Sequence, residues 1–161
     1  KGFKMRLETN WPSQQSSKFI IEKGGRLDIN FRVPYWAESG FTIEINGKVQ
    51  EMDALSGSYV TVGRRWKEGD EIVVSYPYSL RLERTPDDST VGALFYGPIL
   101  LVGKDRRSDF IELKLNTEDL SQSIKTLDEE TLTFEAGSVT LVPMYTAYNF
   151  RYHAYFKIAD E

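Results

Sequence analysis

Alternation of apolar and polar positions with a period of two dominates the chain. Across Arg26-Leu27-Asp28-Ile29-Asn30-Phe31-Arg32-Val33 every second residue is apolar, and each one between is charged or polar. Such a run makes a half-buried strand, and Pro34, which lacks a ladder donor, ends it. Leu27, Ile29, Phe31 and Val33 are expected to face inward. Phe41, Ile43 and Ile45 alternate with Thr42 and Glu44, and Asn46-Gly47 then supplies a two-residue hairpin turn. Further strands are expected at 18–22, 58–62, 71–76, 80–83, 93–96, 99–102, 110–115, 131–135 and 139–142, with turn chemistry at Gly24-Gly25, Ser56-Gly57, Glu68-Gly69-Asp70 and Ala136-Gly137. Short strands at this spacing indicate a sandwich or barrel.

The chain closes on another alternating run. Phe150, Tyr152, Ala154, Phe156 and Ile158 are expected on one face of a terminal strand, opposite Arg151, His153, Tyr155 and Lys157. So apolar a strand belongs inside a sheet, since an exposed edge of this kind aggregates. One helix is expected, roughly 117–126, capped by Asn116 or Thr117 and carrying Leu120, Ile124 and Leu127 on its apolar face. The charged stretch 103–109 marks a seam. The pattern predicts an all-β fold: a two-sheet, mainly antiparallel β-sandwich with one short helix, residues 1–103 forming the sandwich and 104–161 a β-rich extension packed on it or completing it.

Composition narrows the chemistry more than the fold. Of 161 residues, 40% are hydrophobic and 27% charged, which suits a folded domain; the 13% aromatic share favours strands. The absence of cysteine excludes disulfide frameworks, thiol nucleophiles and Cys-based zinc sites. A single histidine, His153, argues against a His-rich metal site and an ordinary Ser-His-Asp triad. The net charge is −4; residues 1–80 hold 11 basic and 10 acidic groups and residues 81–161 hold 9 and 14, so neither stretch has the basic footprint of a nucleic-acid binder. The uncharged run 91–103 is broken by Gly97 and Pro98 and falls short of the roughly 20 residues that span a bilayer, so no membrane segment is expected. A start at lysine without Met suggests a piece of a longer chain.

Few residues invite a chemical role. Glycoside hydrolysis needs two carboxyl groups about 5–10 Å apart. The clusters Asp87-Asp88, Asp128-Glu129-Glu130 and Glu68/Asp70/Glu71 fall in turns, where solvated carboxylates are ordinary. Asp87 and Asp88 lack the ligand spacing of a calcium loop. His153 shares its strand face with Arg151 and Lys157 and has no carboxylate there to orient it, so a surface or interdomain histidine is the better reading. Trp11, Trp36 and Trp66, with the tyrosines, suit either a sugar-stacking platform or packing, and packing is preferred because aromatic side chains dominate cores. The candidates for carbohydrate or interdomain contact are therefore Tyr35, Trp36, Trp66 and His153. Arg64-Arg65-Trp66-Lys67 reads as a solvated hairpin end, no phosphate loop occurs, and no cofactor or metal is expected.

A series of short motifs adds a family likeness. Leu7-Glu8-Thr9-Asn10-Trp11-Pro12 is followed by Leu27-Asp28-Ile29-Asn30-Phe31-Arg32-Val33-Pro34-Tyr35-Trp36-Ala37, the Ile45-Asn46-Gly47 turn, Gly57-Ser58-Tyr59-Val60, Arg65-Trp66-Lys67-Glu68-Gly69-Asp70, and Val91-Gly92-Ala93-Leu94-Phe95-Tyr96-Gly97-Pro98-Ile99-Leu100-Leu101. In this order they resemble the C-terminal β-sandwich region of glycoside hydrolase family 127, the β-L-arabinofuranosidase family. That resemblance implies catalysis elsewhere, in an upstream (α/α)6 barrel with a cysteine nucleophile and a zinc ion held by cysteines and a glutamate. Without a cysteine, this chain can carry none of those roles. The resemblance thus implies a non-catalytic accessory domain that packs against and stabilises the barrel of the same parent chain. A carbohydrate-binding module is the competing reading, and an Ig-like interaction domain fits the strand pattern alone.

Overall fold

The computed structural model describes residues 2–160, and the chain divides between Tyr78 and Ser79 into two compact units. The first unit holds β1 (Lys4–Glu8), β2 (Ser16–Lys23), β3 (Gly25–Arg32), β4 (Thr42–Ile45), β5 (Lys48–Val49), β6 (Tyr59–Trp66) and β7 (Glu71–Ser75). Five of them form an antiparallel sheet in the order β1-β2-β7-β4-β5, while β3 and β6 pair as a separate two-stranded ribbon. The ribbon register runs unbroken from Gly25 opposite Trp66 to Arg32 opposite Tyr59. Asn46 and Gly47 both adopt positive φ, 52° and 75°, the conformation that a two-residue hairpin between β4 and β5 demands.

Burial of one face of each layer makes this unit a sandwich. Ile21, Ile43, Ile45, Ile72 and Val74 project from the five-stranded sheet onto Phe31, Val60 and Trp66 of the ribbon. Phe19 and Phe31 meet edge to face across the layers, their rings 5.8 Å apart. The alternation of β3 is real but its depth is graded. Phe31 and Val33 are buried, Ile29 is half-buried, and Leu27 is 41% exposed.

The second unit holds β8 (Leu80–Arg84), β9 (Val91–Tyr96), β10 (Ile99–Lys104), β11 (Glu112–Leu115), β12 (Ile124–Asp128), β13 (Thr133–Ala136), β14 (Val139–Pro143), β15 (Tyr152–His153) and β16 (Phe156–Asp160). They form one sheet in the order β11-β16-β9-β10-β14-β13-β12, with β8 on β9 and β15 on β10. All its pairings are antiparallel except β11 with β16. The all-β class thus stands in both units.

Three features differ from the sequence expectation. The segment 117–126 is not a helix: a single 3-10 turn, Leu120–Gln122, is followed at once by β12. The capping chemistry is present, with Ser121 N donating to the Asp119 carboxylate at 3.1 Å and Asn116 N donating to Ser123 Oγ at 2.7 Å, but it serves one turn only. Leu120 and Ile124 are buried, whereas Leu127 is exposed on β12, which pairs with β13.

The division between units also falls elsewhere. It lies between Tyr78 and Ser79, not at 103/104, because β9 and β10 find their partners in β14, β15 and β16.

Finally, the closing run is two strands, not one. β9 and β10 pair over three residues from their Gly97-Pro98 turn and then diverge. β15 takes the edge of β10, with His153 opposite Gly103, and β16 takes the edge of β9, with Phe156 opposite Gly92. The apolar face is therefore interrupted: Phe156 and Ile158 are buried, Tyr152 is 39% exposed. Phe156 fits the gap because Gly103 has no side chain, and a Cβ there would stand 2.8 Å from the Phe156 ring.

Two outcomes follow from this packing. Phe31→Ala should cost about 3–5 kcal/mol in urea melts, whereas Leu27→Ala, half in water already, should cost about 1 kcal/mol or less. Equal losses would place β3 in another register. Deleting residues 150–161 removes both strands that fill the divergence of β9 and β10, and should leave a second unit that no longer melts cooperatively. A truncated chain with the parent's melting profile would refute that role.

Candidate functional site

Aromatic side chains collect at one end of the first unit. Trp11 lies 6.0 Å from Trp36, and stands edge-on to Tyr76 at 5.7 Å and Tyr78 at 6.0 Å. Trp36 meets Tyr78 at 5.4 Å, and Phe41 meets Tyr76 at 6.1 Å. The geometry is mostly edge to face, the arrangement that ring quadrupoles favour. Hydrogen bonds fix its borders. The Tyr78 hydroxyl donates to the Pro12 carbonyl at 3.2 Å, and Tyr78 N donates to Gln15 Oε1 at 2.8 Å.

A mainly apolar groove of about 480 Å³ opens beside the cluster, with Leu7, Trp11, Phe19, Phe31 and Tyr76 in its walls. Thr9 Oγ1 and Ser17 Oγ, 3.1 Å apart, supply polar atoms at its rim. The groove continues an apolar margin of the sandwich. Met5 and Leu7 pair with Ile21 and Phe19, so they project from the core face of β1, yet they are 37% and 53% exposed. Nothing in the groove supplies a paired acid and base; it can accept an apolar or planar surface.

The expected contact residues scatter. Trp66 is buried in the core, donating from Nε1 to the Leu27 carbonyl at 3.0 Å beneath the Arg64 guanidinium, 5.1 Å from its ring. Trp36 is buried in the aromatic cluster, so neither indole presents a free face for a sugar. Tyr35 is exposed next to it. His153 belongs to the second unit, where its Nε2–H donates to the Arg107 carbonyl at 3.0 Å and ties down a loop. The exposed indole is that of Trp11, which the motif of residues 7–12 contains but composition alone could not rank above the others. The sequence signal for its neighbours is Tyr76-Pro77-Tyr78, a rigid turn with a ring on either side.

The carboxylate clusters are structural. Asp88 Oδ1 accepts from Thr90 N at 2.8 Å and Thr90 Oγ1 at 2.6 Å, and Asp128 Oδ1 accepts from Glu130 N at 2.8 Å and Thr131 N at 3.1 Å. These bonds to the charged form hold both carboxyls below their ordinary range. Asp70 is buried and accepts from Lys67 N and Asn46 Nδ2, each at 2.9 Å, with Arg64 Nη2 at 3.6 Å. Asn46 Oδ1 in turn accepts from Glu71 N at 2.9 Å, so the turn before β7 and the β4–β5 hairpin are locked together. Among the described residues no three His, Asp or Glu side chains converge as metal ligands, and the chain has no thiolate for the zinc implied by the family likeness.

The family model for "Beta-L-arabinofuranosidase, GH127 middle domain" matches residues 1–78, the whole of the first compact unit. The first unit is a GH127 middle domain. The match agrees with the family likeness of the motifs between residues 7 and 70, which all fall inside it. No curated protein matches the chain. Solved structures match both units. A protein described as a glycoside hydrolase superimposes on 98% of the chain with a TM-score of 0.75 and 16% identity. A GH127 β-L-arabinofuranosidase from Geobacillus stearothermophilus T6 does so over 99% with 0.74 and 18%, and another GH127 β-arabinofuranosidase over 98% with 0.68 and 18%. Such identities establish the fold alone. The chain spans 32%, 31% and 32% of those three proteins, about a third of each.

Asp70 gives the middle domain a measurable pH signature. The Lys67 N–H bond, followed by the Asn46 amide and the Arg64 charge, lowers its carboxyl pKa below the ordinary 3.8. A depressed folded-state pKa stabilises above the unfolded value and loses that stabilisation as pH falls through the folded one. Asp70→Asn should therefore lose about 1–3 kcal/mol at neutral pH, and the gap to the parent protein should shrink below about pH 4. A gap that stays constant down to acid unfolding would show that the carboxylate's charge is not what stabilises the turn.

Proposed function

We propose that the chain is a non-catalytic accessory region of a larger GH127 glycosidase, in which its first unit packs against and stabilises the catalytic barrel. The observation that carries the reading is the exposed apolar margin of the middle domain. Met5 and Leu7 leave 37% and 53% of their surface in water although they belong to the core side of the sheet, and Trp11, just beyond β1, leaves 44%. A contiguous apolar strip beside a groove is unusual on a free-standing surface and ordinary at a contact with another part of the same protein. The family match over residues 1–78 and the threefold greater length of the similar solved structures support a missing neighbour of this kind. Catalysis is assigned to that neighbour, since the chain has no cysteine and the buried carboxylate of the first unit, Asp70, is taken up by the turn before β7.

The reading predicts different costs in two settings. Met5→Ser with Leu7→Ser should change the melting of the 161-residue chain little, within about 1 kcal/mol, because both side chains are already largely hydrated. Placed in the full-length parent, the same pair should lower stability by about 2–4 kcal/mol, the transfer cost of two apolar side chains that a contact buries. Equal losses in both settings, or none in the parent, would remove the docking role. The purified chain should show no turnover of aryl arabinofuranosides, and hydrolysis abolished by a single substitution within residues 1–161 would overturn the non-catalytic assignment.

A further inference from the structure

Three of the second unit's nine basic residues line one cleft. Residues 79–161 carry 9 basic against 14 acidic side chains, yet Lys104, Arg106 and Arg151 line a single cleft of about 600 Å³, with the Arg107–Asp105 ion pair beside them. The ladder explains why they meet. β10 and β15 pair with Gly103 opposite His153 and Lys104 opposite Tyr152. Continued past its last pair, this register sets residue 105 opposite 151 and 106 opposite 150. The Arg107 carbonyl is held by His153, which keeps the outgoing loop alongside the incoming one.

Three further details bear on what the cleft can hold. Asp105 also lines it, but its carboxylate is saturated by Arg107, whose N, Nε and Nη2 donate to it at 2.8, 3.0 and 2.6 Å. Those bonds hold the Asp105 carboxyl far below its ordinary range, so this pair is internally neutral. Arg106 and Arg151 are exposed, and among the described residues neither forms an ion pair. Lys104 is fixed by its ammonium lying 4.7 Å from the Phe150 ring centroid, a cation–π contact that leaves its N–H groups available. Two guanidiniums without carboxylate partners and an oriented ammonium repel one another unless an anion lies between them.

We propose that this cleft binds an oxyanion, a carboxylate or sulfate group, through Arg106, Arg151 and Lys104, with the Asn149 amide beside them in its wall. Guanidinium forks match the paired oxygens of such groups, and charge-assisted bonds of this kind are the strong ones. A nucleic acid is disfavoured because the unit as a whole carries more acidic than basic side chains, 14 against 9, and Phe150 is engaged by Lys104 rather than free to stack a base. The site is independent of the docking strip proposed above, since it lies wholly in the other unit.

Amide NMR titration of the 161-residue chain tests it with three probes: inorganic sulfate, digalacturonate of the same charge, and neutral galactobiose. Sulfate and digalacturonate should give saturable shifts confined to residues 104–107 and 149–153, weakening as sodium chloride rises. Tighter binding of digalacturonate assigns the oxyanion to a sugar; tighter binding of sulfate assigns it to a free ion. Arg106→Gln with Arg151→Gln should weaken either about ten-fold or more, and Arg151→Lys should weaken it less. Should the double variant melt below the parent protein, Arg106→Gln alone carries the same comparison. The proposal falls if neither anion saturates, if galactobiose binds as well as digalacturonate, or if correctly folded glutamine variants bind as before.

Discussion

The first unit is governed by a mismatch in width: a ribbon of two strands, β3 and β6, has to cover a sheet of five. Where the ribbon lies, the two layers interlock, with Phe31, Val60 and Trp66 set into the faces of Ile21, Ile43 and Ile72. Where it stops, β1 has nothing over its inner face, and Met5 and Leu7 stay wet. The aromatic cluster at the end of the unit softens this border without closing it, since Trp11 still shows 44% of its surface. An antiparallel sheet commonly keeps one face on the core and one in water, and at β1 both faces are wet.

A different problem is solved in the second unit. The β9–β10 hairpin splits after three pairs, which leaves two half-empty edges pointing along the chain. The closing segment supplies both partners by breaking once, between His153 and Phe156, and the missing side chain at Gly103 admits the Phe156 ring into the fork. The same arrangement draws the loops after β10 and before β15 side by side. Fold closure and the clustering of cations there are thus consequences of one local geometry.

Much of this was legible from residue order. Period-two alternation located β2, β3, β4, β6 and β7, and Asn46-Gly47 marked the hairpin, because both signals are local and their physical causes act within a few residues. The family likeness, drawn over residues 7–103, agreed with the middle-domain match up to residue 78, while its 91–101 motif lies beyond that match. What escaped depends on partners distant in sequence. Asn116, Asp119 and Ser123 have helix-capping chemistry, but β13 offered Ile124 and Thr126 a ladder, and tertiary pairing overrode the local preference. The terminal run alternates throughout, yet alternation cannot reveal that its two halves pair with different strands. Trp36 and Trp66 carried both readings, with packing preferred over a platform, but order alone could not set one in the aromatic cluster and the other on the ribbon's core face.

The uneven placement of indoles has a consequence for observing this protein. Trp11, Trp36 and Trp66 all lie within the GH127 middle domain, while the second unit contributes tyrosine and phenylalanine only. Intrinsic tryptophan emission is therefore blind to half of the chain. Trp66, buried and bonded to the Leu27 carbonyl, reports whether the ribbon is seated, and Trp11 reports what touches the open margin. An emission change that precedes or follows the loss of far-ultraviolet dichroism would separate the unfolding of one unit from that of the other without any label.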